Sequence, residues 1–266
     1  MATRSFPDEL IHMLRTAQHV VVFTGAGISA ESGIPTFRDA LTGLWERFDV
    51  EALATPQAYE RDKALVWGWY EWRRARVMQA QPNPGHLAIA ALEQVVPELT
   101  VVTQNVDDLH ERSGSRDVIH LHGSMLAARC GDCGHPYSMP EGIPDEPEYG
   151  RRLQPPRCAA CGGDVRPGVV WFGEEMPRTP LQTAFAAARQ CDLLISVGTS
   201  GIVYPAAQMP QRAADAGAQV VAINLNVADM PPGAHWQLVG ASGEILPAMV
   251  AAAFGASLGI QGHRKP

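Results

Sequence analysis

The chain has 266 residues, 46% of them hydrophobic and 18% charged, with a formal net charge of −7 at pH 7. A chain of this size buries on the order of three quarters of its unfolded surface, and no apolar run approaches the roughly 18 residues of a membrane span. The acidic balance and small basic clusters argue against direct nucleic-acid binding, which needs clustered Lys and Arg on phosphates.

The N-terminal stretch MATRSFPDEL lacks the apolar segment of a secretory leader, so the cytoplasm is the expected compartment. Pro7, Asp8 and Glu9 ahead of Leu10, Ile11, Met13 and Leu14 read as a helix start with an apolar stripe. Residues 20–23, VVVF, have the composition of a fully buried strand, and they run into Gly25, Ala26 and Gly27. Glycine carries no Cβ, so backbone N–H groups there can approach a pyrophosphate, with the N-terminal end of a short helix from Ile28 adding its positive pole. Ser29 to Ser32 intervene before Gly33, so the spacing departs from G-x-G-x-x-G and fits a plain Rossmann oxidoreductase poorly. Gly33 and Pro35 stop the short helix, and residues 39–50 read as a flap over whatever the glycine turn binds.

Residues 58–80 carry Trp67, Trp69, Tyr70 and Trp72 at helical spacing, a stripe that reads as core packing. Tyr70 and Arg73, three apart, share a helical face and can reach a common point. A linker at 81–85 leads to a helix over 86–96 and a strand over 99–103. That strand delivers Gln104, Asn105 and Asp107 from its carboxyl end, where open α/β sheets place their ligands. A short helix over 107–113 and a strand over 118–121 bring the chain to His122.

Cys130-x-x-Cys133 and Cys158-x-x-Cys161, each followed by a glycine-containing turn, have the spacing of a tetrahedral zinc site. Four thiolates leave no position for water, so the metal is expected to be structural and to staple the polar, Pro-rich stretch between the pairs. Cys191 opens an apolar strand and reads as packing. Residues 169–172 are extended and apolar, fit either for the core or for offering an edge to a peptide. A helix over 181–189, a strand over 193–197, a helix over 204–216, strands over 219–223 and 236–239 and a closing helix over 244–254 complete the chain. Strands alternating with helices imply an α/β fold with a mostly parallel sheet covered on both faces.

The run G-A-G-I-S-A-E-S-G-I-P-T-F-R at 25–38 resembles the signature of the sirtuins, the NAD-dependent protein deacylases. Further matches follow in the same order: TQNVDDLH at 103–110, LHG at 121–123, the two Cys pairs, VVWFGE at 169–174, GTS at 198–200 and NLN at 224–226. The resemblance spans roughly residues 6–249. It implies a Rossmann-like doubly wound parallel sheet over 1–38, 84–124 and 166–258, a smaller zinc-ribbon and helical domain over 39–83 and 125–165, and a disordered tail over 259–266.

It also implies NAD as cofactor. Gly25, Ala26, Gly27, Glu31, Phe37 and Arg38 would lie along its phosphates and nicotinamide ribose, with Gln104 near the ribose and Asn105 and Asp107 in the nicotinamide pocket. Gly198, Thr199 and Ser200 would also contact it, and Asn224, Asn226 and Ala241 would surround the adenosine end. His122 would be the general base, a role suited to an imidazole titrating near neutrality. In the implied mechanism the acyl-lysine oxygen attacks the anomeric carbon and nicotinamide leaves. His122 then helps the 2′-hydroxyl attack the imidate, and water completes transfer to give free lysine and O-acyl-ADP-ribose.

The acyl-lysine peptide would add as a strand between Val170, Phe172, Gly173 and Glu174 on one side and Val203 and Tyr204 on the other. Ala54, Tyr70 and Arg73 resemble the acyl pocket of the sirtuin subgroup that removes succinyl, malonyl and glutaryl groups: Arg offers a planar fork to a carboxylate, Tyr a hydroxyl, and Ala leaves room. Members of that subgroup also deacetylate. Two rivals stay open at this point: a mono-ADP-ribosyltransferase sharing the first chemical step, and a non-catalytic zinc-ribbon interaction module on a nucleotide-binding core. Nothing in the sequence sets the oligomeric state.

Overall fold

A computed structural model describes residues 5–36, 53–147 and 150–255. The expected flap over 39–50, Phe37, Arg38 and the tail over 259–266 lie outside the described residues.

Six strands, His19–Thr24 (β1), Glu98–Thr103 (β2), Val118–His120 (β3), Leu193–Val197 (β7), Gln219–Asn224 (β8) and Trp236–Val239 (β9), form one sheet. Its order is β3-β2-β1-β7-β8-β9 and every pairing is parallel. All residues of β1 and β7 are buried, as expected of central strands covered on both faces. Side chains alternate between the faces. Val20 and Val22 meet Leu10, Leu14, Ile28, Ile89, Ile245 and Met249 on one side. Val21 and Phe23 meet Ala184, Ala188, Met209 and Ala213 on the other. The strand order reverses between β1 and β7, and a crevice opens at the carboxyl ends of these two strands.

Gly123–Cys130 (β4), Pro136–Tyr137 (β5) and Val165–Val169 (β6) form a second, antiparallel sheet of order β5-β4-β6. Two sequence readings are corrected here. Residues 123–129 form a strand where none was expected, because Ala127 and Ala128 carry little β preference. The extended segment lies at 165–169 rather than 169–172; Pro167 and Gly168 disguise it, and Pro is tolerated because β6 is an edge strand.

The stretch read as one helix over 58–80 is two, Pro56–Arg61 and Lys63–Gln79. Asp62 divides them, its Oδ1 accepting from Leu65 N at 3.1 Å to cap the second helix. Trp67, Trp69, Tyr70 and Trp72 are all buried. Trp69, Tyr70 and Trp72 pack with Met125, Val169 and Trp171, so the helical insertion and the small sheet share a core. Helix Pro84–Leu92 starts earlier than the sequence suggests because Asn83 Oδ1 caps Gly85 N at 2.9 Å. No helix among the described residues is long and apolar enough to cross a membrane.

Candidate active site

A cleft of about 520 Å³ opens at the carboxyl ends of β1, β2 and β7. One wall brings together Gly25, Ala26, Gly27, Gln104, Asn105, Asp107, His122, Gly198, Thr199, Ser200, Asn224 and Asn226. The facing wall carries Ala54, Tyr70, Arg73, Val170, Phe172, Gly173 and Glu174, and Val203 and Tyr204 also line the cleft. Among the described residues, two sequence candidates are absent from the lining. Glu31 turns to helix Ser242–Phe254, where its Oε1 accepts from Ser242 Oγ at 2.7 Å and Gly243 N at 2.9 Å, a carboxylate on the positive end of a helix. Ala241 is the residue immediately before that helix.

The glycine turn works differently from its sequence reading. The N–H groups of Gly25 and Gly27 are already donated, to Val197 O at 3.0 Å and Gly198 O at 2.9 Å. These glycines permit two loops to cross at backbone contact: a Cβ on Gly27 would stand 2.7 Å from Gly198 Cα, and one on Gly198 would stand 2.6 Å from Ile28 N. Gly198 itself has φ of 60°. At the crossing Gly25, Gly27 and Gly198 bring no side chains to the cleft lining, a shape that fits a dinucleotide pyrophosphate.

Deeper in, Asn105 Nδ2 donates to Gly25 O at 3.1 Å and to Ser29 Oγ at 3.0 Å. Ser29 Oγ donates in turn to Asp107 Oδ2 at 3.0 Å, and Asp107 Oδ1 receives Leu109 N at 3.1 Å. Asp107 thus both receives the first N–H of the following helix and faces the cleft. Burial raises its pKa above the ordinary carboxyl value, against the pull of these two donors. Ser29 and Thr103 hold this cluster and were not singled out as site residues from the sequence, although both stand inside the quoted motifs.

His122 lines the same cleft with Nδ1 2.9 Å from Gln104 O. A carbonyl only accepts, so Nδ1 carries the hydrogen and Nε2 presents a lone pair. Burial lowers the imidazole pKa, outweighing the Gln104 carbonyl, so the basic form persists below the ordinary range.

On the facing wall, Tyr70 OH receives Trp171 Nε1 at 2.9 Å, and burial pushes the phenol up to about 12 against the nearby Arg73. The Arg73 guanidinium stands 4.8 Å over the Trp69 ring and 5.9 Å over the Tyr70 ring, its pKa lowered chiefly by burial. Arg166 stands 3.5 Å over the Trp171 ring and pairs with Glu174. Glu174 also accepts from Trp171 N at 2.9 Å. Burial raises the Glu174 pKa, but Arg166 and Trp171 N outweigh it and hold the carboxyl below its usual range. Neither Trp171 nor Arg166 was picked out individually beforehand. The edge over 170–174 is partly spent: Val170 N donates to His122 O and Phe172 N to Ala54 O, while Glu174 N returns to Trp171 O.

Away from the cleft, the four Sγ atoms of Cys130, Cys133, Cys158 and Cys161 all lie within 4.8 Å of one another. Cys130 and Cys161 are 3.4 Å apart and Cys133 and Cys158 3.8 Å, which suits zinc with Zn–S bonds of about 2.3 Å. Asp132 N and Cys133 N point at Cys130 Sγ, and Ala160 N at Cys158 Sγ, orienting the ligands as second partners do in metal sites.

The Sir2 family model matches residues 25–205. An NAD-dependent protein deacylase of Methylococcus capsulatus is 58% identical over 247 residues, covering 93% of this chain and 97% of its own. NAD-dependent protein deacylase 1 of Pseudomonas aeruginosa is 59% identical over 248 residues, covering 92% and 98%. Among solved structures, a Sir2 homolog–NAD complex superposes with a TM-score of 0.84 at 40% identity, covering 95% of this chain and 96% of that one. A Sir2 variant with deacetylated p53 peptide and 3′-O-acetyl ADP-ribose superposes at 0.78 with 29% identity, covering 93% and 98%. With the doubly wound sheet, the glycine crossing and the thiolate cluster already in place, these matches settle the affiliation: the chain belongs to the Sir2 family.

Proposed function

We propose that this chain is an NAD-dependent protein-lysine deacylase that removes acetyl groups and acidic acyl groups such as succinyl and malonyl. The observation that carries the reading is the meeting, in one cleft, of the Gly27–Gly198 crossing with an imidazole whose Nε2 is an open acceptor. When bound there, NAD would supply nicotinamide as the leaving group and a ribose hydroxyl as the acceptor of the acyl group.

The residues of the chain do the rest. Asn105 and Asp107 position the carboxamide end, and His122 Nε2 takes the proton of a ribose hydroxyl. An amide oxygen is a poor nucleophile, so the apolar walls of Val170, Phe172 and Val203 have to hold it near the reacting carbon and keep water out. The peptide adds as a strand along 170–174 and 203–204, drawing on carbonyl oxygens and the Gly173 N–H because the neighbouring amides are spent. An acyl carboxylate entering beside Tyr70 meets the Arg73 guanidinium, a planar fork suited to two carboxylate oxygens. This reading divides the chain into a nucleotide lobe over 1–38, 84–124 and 166–258 and a small lobe over 39–83 and 125–165.

The test is nicotinamide release from matched acetyl- and succinyl-lysine peptides, with His122→Tyr as the blank. Arg73→Met is expected to cut desuccinylation at least about tenfold more than deacetylation, the scale of a lost charge-assisted pair. Equal losses on both peptides would refute the acidic-acyl reading. Mass spectrometry of the peptide adds a separate check: it should lose an acyl mass, and gain of an ADP-ribose mass would reassign the chain as a transferase onto protein.

A further inference from the structure

The main chain of Asn105 is held by groups that do not line the cleft. Its N–H donates to Thr103 Oγ1 at 3.0 Å, and its carbonyl lies 3.1 Å from His120 Nδ1. Thr103 Oγ1 also receives the hydroxyl of Thr24 at 2.8 Å; the two threonines are register partners on β2 and β1, and both are fully buried. Behind Thr24 stands His110, its Nε2 3.0 Å from Thr24 Oγ1. A hydroxyl has one proton to give, and Thr24 gives it to Thr103. His110 Nε2 must therefore be the donor, which fixes the Nε2–H tautomer and leaves Nδ1 bare.

His86 supplies the matching half. Its Nδ1 accepts from Asn83 N at 3.3 Å, so its own hydrogen sits on Nε2. The two rings meet edge to face with centroids 5.0 Å apart. One donor, His86 Nε2, and one acceptor, His110 Nδ1, are left buried there without another hydrogen-bond partner. Packing alone would favour an apolar residue at a site this dry, since a buried polar atom is costly. Burial, with His86 adding to it, drives the His110 pKa to about 3, so the ring stays uncharged wherever the protein is folded near neutrality.

We propose that His110 is a positioning residue: as a neutral Nε2–H imidazole it locks the Thr24–Thr103 pair and thereby fixes the main chain of Asn105 at the base of the cleft. The proposal rests on the reading of that cleft as the nicotinamide site. It assigns a role to a side chain outside the cleft lining, and the bonds that carry it run from His110 through Thr24 and Thr103 to Asn105, with His86 packed edge to face behind His110.

The experiment uses the intact enzyme and four variants: His110→Leu, His110→Gln, Thr24→Val and the double variant His110→Leu/Thr24→Val. A glutamine amide can place its nitrogen where Nε2 stands, and Thr24→Val breaks the relay with almost no change of shape. His110→Leu and Thr24→Val are each expected to lower kcat about tenfold or more at saturating NAD and peptide, the double variant no further, and His110→Gln to keep at least roughly half of the wild-type value. Imidazole nitrogen NMR should show His110 as the Nε2–H tautomer between about pH 5 and 8. The proposal is overturned by an unchanged kcat in Thr24→Val, by His110→Gln falling as far as His110→Leu with the same loss of Tm, or by an Nδ1–H tautomer. A wild type that frees no nicotinamide sinks the functional reading instead, and the tautomer measurement still decides the relay.

Discussion

The two walls of the cleft are built on different physics. The wall on the large sheet is set by backbone: strands buried on both faces end in glycines that cross at contact distance, and the core behind them includes Val20, Val22, Ile195, Ile223 and Met249. The facing wall is set by side chains, Tyr70, Arg73 and Trp171. The ribbon behind it has little apolar core of its own, with Trp67, Ala128 and Val165 buried and Tyr137, Met139 and Leu153 partly buried. Burial holds both walls, since Tyr70 and Trp171 sit in the core shared by the helical insertion and the small sheet, while coordination has to hold the ribbon behind the second. The cleft lies between a wall held by burial alone and one backed by a thiolate cluster.

Removing the metal should break that comparison most visibly. Cys158→Ser, or chelation of the native protein, is expected to abolish nicotinamide release, because a structural zinc site carries folding free energy on the order of 10 kcal/mol. Proteolysis should then enter the 130–165 stretch while the large sheet keeps its circular dichroism. A chelated protein that stays active and resists cleavage there would show the ribbon standing without metal. On the other wall, Gly27→Ala forces a Cβ to 2.7 Å from Gly198 Cα, and the displaced loops should cost about 10²-fold in kcat/KM for NAD with the zinc content unchanged.

The remaining tests sharpen the comparison rather than break it. His122 sits where the walls join, and it works as a base only when neutral. Its burial-lowered pKa puts the acid limb of kcat/KM below the ordinary imidazole value of about 6.5, so activity should fall only as pH drops past that point; a limb above it would contradict the buried environment. Glu31→Gln should be the mildest change. It weakens a charged cap on helix Ser242–Phe254 by about 0.3–1 kcal/mol, read from urea unfolding, with the KM for NAD unaltered. A many-fold rise in that KM would return Glu31 to the cofactor.

The alternation of the large sheet was legible because it rests on local pattern: VVVF and LLISV declare buried strands wherever they occur. The Tyr70 and Arg73 face was legible for the same reason, since a helix fixes what lies three residues away. The small sheet was less so. Ala127, Ala128, Pro167 and Gly168 carry no strand signature, and only antiparallel pairing across β4 and β6 makes strands of them. The bond from Trp171 to Tyr70 and the turn of Glu31 toward Ser242 join segments far apart in the chain, where no spacing rule applies.

Taken alone, the sequence determined the α/β alternation, the glycine turn and the paired cysteines, because these follow from composition and short-range spacing; the residues expected to meet a cofactor came from the resemblance to the sirtuins. Only the tertiary structure decided that Gly25 and Gly27 spend their amides on Val197 and Gly198, that Glu31 turns to Ser242 and Gly243, and that His110 reaches Asn105 through two threonines. Each of those depends on which strands become neighbours. Strand order is fixed by the burial of a whole sheet between two layers of helices, which no short window of sequence contains.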